Sequence, residues 1–174
     1  NKRAQGASTI TQQVAKNFLL TNERSIERKI KEAILAVRIE SAYSKDKILE
    51  LYLNEIYLGM NSYGVGAAAL TYFNKELKDL TIEEAAYLAA LPKGPNNYHP
   101  FRQKVRAIER RNWIIGEMAE NGYITAEEAT AAKQKPLTVN LRPSGAHIST
   151  AEFFAEEVRR TLLSRYGEDK LYGG

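Results

Sequence analysis

Apolar positions recur along most of this chain at helical spacing, and the polar residues that open and close each run divide it into a series of helices. The first run begins at Thr9-x-x-Gln12, a capping-box pattern, and carries Ile10, Val14 and Phe18; Thr9, Gln13 and Lys16 fall on a neighbouring stripe. Ser25 caps a second helix reaching about Tyr43. Ile30, Ile34 and Val37 form its expected apolar side, while Arg28, Lys29 and Glu32 fall close together. Ser44 opens a third, which runs from Ile48 to about Leu58, closes at Gly59, and is apolar nearly all round, so it is expected at the domain centre.

Small residues from Gly64 to Ala69 then lead into Leu70-Thr71-Tyr72-Phe73, a segment able to pack closely against its neighbours. Thr81-x-x-Glu84 opens an Ala/Leu-rich helix that Pro92 stops, and a loop from Lys93 to Pro100 follows. A long amphipathic helix covers about Arg102 to Asn121, with Gly122 as its stop and Trp113, Ile114, Ile115 and Met118 as its expected buried face. Thr125-x-x-Glu128 caps a short helix, Leu137 to Leu141 alternates like a short strand, and Thr150 to about Tyr166 reads as a last helix. The pattern predicts a mainly α, multi-helix domain with at most a short strand element. The domain is expected over residues 1–143, with 144–174 a linker and helix leading toward a further domain.

Composition narrows the chemistry. With 44% hydrophobic residues in 174, the chain can bury a core. It has no cysteine and two histidines, His99 and His147, both expected in loops or at the surface; thiolate sites, disulfides and multi-histidine metal sites are excluded. The balance of 25 basic against 21 acidic residues mildly favours an anionic partner. No apolar run approaches the roughly 18 residues a membrane-spanning helix needs.

Two clusters could carry chemistry. In QGASTITQQVAKN, from Gln5 to Asn17, hydroxyls at a helix start precede two amides and an ammonium, and free N–H groups at such a start favour an anion. The same hydroxyls equally describe plain caps. In RKIKEAILAVRIE, Arg28 to Glu40, two cations meet Glu32 at i,i+4 and i,i+3. That spacing describes a surface ion pair as well as a charge clamp for a departing phosphate. Arg110 and Arg111 beside Trp113 are too isolated to suggest nucleic acid, which is not an expected partner.

Taken in order, QGASTITQQVAKN, RKIKEAILAVRIE, SKDKILELYLNEIYLG, YGVGAAALTYF, LTIEEAAYLAALPKGPNNYHP and RRNWII resemble glycosyltransferase family 51, the peptidoglycan polymerase domain of class A penicillin-binding proteins and monofunctional transglycosylases. The resemblance implies a lysozyme-like helical fold that polymerises lipid II into β-1,4 glycan strands with inversion, releasing lipid pyrophosphate. It implies a location at the extracytoplasmic face of the cell membrane, anchored by an N-terminal segment outside this chain. Lipid II, the growing lipid-linked glycan, the membrane surface and moenomycin-type inhibitors are the implied partners. Ser8, Thr9, Gln13, Lys16 and Asn17 match the donor-site block, Arg24, Arg28 and Lys29 match basic positions near the pyrophosphate, and Glu32 matches an essential catalytic carboxylate. No organic cofactor is implied; a divalent cation, Mg or Mn, could sit at Glu32. The family's general base belongs to an upstream Glu-Asp-x-x-Phe-x-x-His motif, which this sequence does not include. Phe18, Leu19 and Leu20 are candidates for lipid contact. Two departures stand out: Asn74 where the family usually has Gly, and Gly94 where Ala is common. The alternatives are a lysozyme-like lytic enzyme acting on peptidoglycan and a non-enzymatic helical binding domain.

Overall fold

A computed structural model describes residues 8–18 and 25–140. Chain contacts divide the molecule into Asn1–Asn140 and Leu141–Gly174, and every described residue belongs to the first unit. Among the described residues there are seven α-helices: α1 Ile10–Phe18, α2 Ile26–Ala42, α3 Lys45–Glu55, α4 Val65–Phe73, α5 Ile82–Ala90, α6 Lys104–Glu120 and α7 Ala126–Gln134. Short 3-10 turns link α4 to α5 and α5 to α6. The mainly α expectation is met. No described segment forms a strand, and the one β-bridge joins Tyr57 to Tyr63. None of the described helices is long and apolar enough to cross a membrane.

The predicted start signals act as read. Thr9 and Gln12 close a capping box, with Thr9 N donating to Gln12 Oε1 at 3.1 Å and Gln12 N to Thr9 Oγ1 at 3.2 Å. Ser25 and Ser44 accept from Arg28 N and Lys47 N. Thr125 and Glu128 close the box of α7. Each such cap satisfies donors that a helix start otherwise leaves open.

Packing differs from expectation in four places. Ile30, Ile34 and Val37 were the expected core side of α2, yet with Ile26 they are 51–83% exposed; the buried residues are Glu32, Ala36 and Ile39. α2 carries two stripes, and the one with small Ala36 lets α1 approach closely. α3 ends at Glu55, before Leu58, and buries only Ile48 and Tyr52, so it is a surface helix with one inner face. Trp113 is 52% exposed, with the Arg110 guanidinium 4.0 Å over its ring; Ile115 is the fully buried member of its group. Residues 137–140 pair with no strand: Leu137 is buried, and Asn140 N donates to Tyr72 O at the end of α4. Leu141, His147 and the helix expected at Thr150–Tyr166 lie outside the described residues.

Three buried clusters result. Val14, Ala15, Ala36, Ile39, Ile48 and Tyr52 join α1, α2 and α3. An aromatic core of Tyr72, Phe73 and Tyr87, with Leu58, Leu88 and Leu91, joins α4 and α5. Ala86, Ile115, Ala129 and Ala132 join α5, α6 and α7. Burial pushes the Tyr72 phenol up to about 12, so it stays neutral and donates to Leu58 O at 2.8 Å. The α3–α4 turn needs glycine at residue 64: φ is +80°, and a Cβ would lie 2.4 Å from Asn54 O. Asn74 ends α4 in the left-handed conformation that glycine adopts freely and Asn tolerates, so this departure preserves the backbone.

Candidate active site

α1 and α2 pack against each other and present the charged residues of both sequence clusters. Glu32 sits on the inner face of α2 and is 2% exposed. Lys29 Nζ donates to Glu32 Oε2 at 2.5 Å, one turn earlier on the same helix. Arg28 Nε lies 3.0 Å from Oε1, so each carboxylate oxygen faces its own cation. The helix supplies this geometry without distortion, because residues three and four apart share a face.

Electrostatics follow from the contacts. The Lys29 hydrogen bond is the main influence holding the Glu32 carboxyl below its ordinary value; burial opposes it, and the charges of Lys29, Arg28 and Lys16 add to the lowering. Lys16 therefore belongs to the same field although it stands on α1. Glu32 is ionised at neutral pH and surrounded by three cations. The Lys29 and Arg28 side chains are not equally sheltered: Lys29 is 57% exposed and reaches solvent, whereas Arg28 is 13% exposed. An open, largely apolar hollow of about 370 Å³ lies against Ser25, Ile26, Arg28 and Lys29.

The structure thus joins Arg28, Lys29 and Glu32 by direct contacts, and the Lys16 charge on the neighbouring helix adds to the field at Glu32. Gln13 and Asn17 flank Lys16 on α1, half-buried and exposed respectively. Ser8 and Thr9 are exposed at the other end of α1, and the Thr9 hydroxyl is occupied by capping. Arg24, Leu19 and Leu20 lie outside the described residues, as does the side chain of Phe18.

A metal finds few ligands here. Among the described residues no three His, Cys, Asp or Glu side chains gather, and both Glu32 oxygens already face cations. A divalent ion at Glu32 would therefore need further ligands, such as the phosphate oxygens of a bound substrate.

Sequence reasoning missed Thr11 and Glu40. Thr11 is 4% exposed, and its Oγ1 donates to Glu40 Oε1 at 2.7 Å, joining α1 to the last turns of α2. No local spacing signals a contact 29 residues apart. A second hollow, about 230 Å³ beside buried Arg111, belongs to the α4–α7 half; the carboxylates lining it are matched there, Glu83 by Lys135 at 3.3 Å and Glu84 by Lys75 at 2.8 Å.

The family model for Transglycosylase matches residues 1–119. The chain belongs to the transglycosylase family. Among its relatives, penicillin-binding protein 1A of Aquifex aeolicus is 51% identical over 164 residues, 94% of this chain and 22% of that protein. Penicillin-binding protein 1A of Escherichia coli is 46% identical over 171 residues, 98% of this chain and 20% of that protein. The crystal structure of penicillin-binding protein 1A from Haemophilus influenzae aligns with a TM-score of 0.54 at 34% identity, covering 91% of this chain and 20% of that one. The chain spans about a fifth of the length of these relatives. All charged residues of the α1–α2 cluster fall inside the transglycosylase match.

Proposed function

We propose that this chain is the peptidoglycan glycosyltransferase part of a longer protein and polymerises lipid II. The growing glycan on its lipid pyrophosphate is the donor, and the 4-hydroxyl of the N-acetylglucosamine of lipid II is the acceptor. A β-1,4 bond forms with inversion, and lipid pyrophosphate leaves. The observation that carries this reading is the buried, ionised Glu32 held between Arg28 and Lys29 and within the field of Lys16.

When a glycosyl–phosphate bond breaks, negative charge grows on the departing oxygens. Fixed cations aimed at that position stabilise the transition state more than the ground state, and removal of one such group typically costs about 100-fold in rate. Lys16, Arg28 and Lys29 supply those cations. Glu32 keeps Arg28 and Lys29 pre-placed on one face of α2 and offsets their mutual repulsion before substrate arrives. Ser8, Thr9, Gln13, Asn17 and Arg24 complete the donor site in this reading. The acceptor proton goes to a base outside the described residues.

The direction of the Glu32 shift supports a carboxylate that holds cations in place and not one that serves as the proton donor of a lytic reaction. Glycoside cleavage needs a carboxyl kept protonated near neutral pH so that it can donate to the leaving oxygen. Glu32 is shifted the opposite way. On the same reading the chain works at the extracytoplasmic membrane surface, is a target of moenomycin-type inhibitors, and leads through residues 144–174 toward a transpeptidase domain.

The test supplies lipid II in detergent to the longer protein containing this chain and measures glycan polymer and released lipid pyrophosphate. Polymer formation that a moenomycin-type inhibitor stops is the expected result. A folded protein that forms no polymer, or that shortens preformed glycan instead, would sink the reading.

A further inference from the structure

In the proposed cation cluster the height of Lys16 along α2 matters, because Lys16 stands on α1 and Arg28, Lys29 and Glu32 stand on α2. Among the described residues few polar contacts set that height. The α1–α2 seam is otherwise lined by Val14, Ala15, Ala36 and Ile39, small or aliphatic groups that tolerate sliding. Among the described residues, a polar contact joins the two helices at the far end of the seam. Thr11 Oγ1 donates to Glu40 Oε1 at 2.7 Å, and Lys45 Nζ, at the start of α3, lies 3.4 Å from the same oxygen.

We propose that Thr11 and Glu40 form a register lock, positioning Lys16 for the transfer reaction without touching substrate. This inference rests on the proposed glycosyltransferase activity. Thr11 and Lys16 are five residues apart, so with a rise of about 1.5 Å per residue the lock acts roughly 7.5 Å along α1 from the ammonium it places. A buried hydroxyl donating to a charged oxygen is both directional and costly to leave unmade, which makes it suited to this task. Hydrophobic burial alone is non-directional and would leave Lys16 free to shift by a fraction of a turn.

The lock distinguishes itself from ordinary packing through chosen variants of the longer protein. Thr11→Val keeps the β-branched shape and removes the donor; Thr11→Ser keeps the donor and loses a methyl group. With lipid II as substrate, Thr11→Val is expected to lower kcat about tenfold or more with KM within about twofold, and Thr11→Ser to recover most of that loss. A second readout, independent of turnover, is the Glu32 carboxyl titration followed by carbon NMR on the 174-residue chain. It should move upward in Thr11→Val, as Lys16 withdraws, and return in Thr11→Ser. Wild-type protein that makes no polymer would remove the activity reading and leave the titration to judge the lock. An unchanged Glu32 titration in Thr11→Val would overturn the lock, as would wild-type kcat in that variant.

Discussion

The first three helices, two of which carry the charged cluster, and the four that follow are held together by different means. α1, α2 and α3 share a small core of aliphatic residues with Tyr52, and polar contacts accompany it: Glu32 pairs with Arg28 and Lys29 within α2, and Glu40 accepts from Thr11 of α1 and Lys45 of α3. α4 and α5 instead pack aromatic rings edge to face, and α5, α6 and α7 meet through Ala86, Ile115, Ala129 and Ala132. Tyr87 meets Tyr72 edge-on at 5.7 Å and Phe73 at 6.1 Å, all three buried. On the first half Lys16 and Lys29 keep their charges open to solvent around the buried Glu32, whereas the other half seals uncharged rings in its core.

The comparison can be broken most forcefully from the aromatic side. Tyr87→Ala removes a fully buried ring and its hydrogen bond to Tyr98 O, and should cost about 3–5 kcal/mol in urea unfolding. A loss below about 1 kcal/mol would mean that the α4–α5 core does not carry the fold.

Acid should act on the other half. Glu32 and Glu40 are both held below their ordinary value of 4.5, chiefly by the Lys29 and Thr11 hydrogen bonds respectively. Their contribution is therefore complete above the unfolded-state value and is lost as pH falls through the lower folded-state values. Melting curves between pH 7 and pH 3 should drop further for wild type than for the Glu32→Gln/Glu40→Gln double variant, and parallel curves would contradict this assignment.

Smaller changes sharpen the contrast. Thr125→Ala removes the cap of α7 and should cost about 1 kcal/mol. Ile34→Ser, on the outward stripe of α2, should change the stability of the chain by no more than about 0.5 kcal/mol. A larger loss from Ile34→Ser would show that this stripe is covered, as its apolar pattern first suggested.

Helix starts were the most legible part of the sequence, because a cap is a local device: Thr9 with Gln12, Ser25, Ser44 and Thr125 with Glu128 bond within one turn. Facing was less legible. Periodicity reveals that α2 has an apolar stripe of Ile26, Ile30, Ile34 and Val37, but the choice of stripe is made by what α1 fits against, and small Ala36 wins over larger isoleucines. Trp113 misled for a similar reason, since a large ring satisfied by Arg110 from above does not need burial. Of the site, the Lys29–Glu32 and Arg28–Glu32 contacts could be read from spacing because they lie on one helix. The approach of Lys16 and the Thr11–Glu40 contact could not, since both depend on how two helices meet.

The central claim is that the cations around Glu32 act as one unit on the departing phosphate. Its most direct test is a double-mutant cycle in the longer protein, measuring lipid II polymerisation by wild type, Glu32→Gln, Lys29→Met and the double variant. Each single change should lower kcat by about 100-fold, and the double variant should be scarcely worse than either, because groups that act together are lost together. Losses that multiply independently, or a single variant with near-wild-type turnover, would contradict the account.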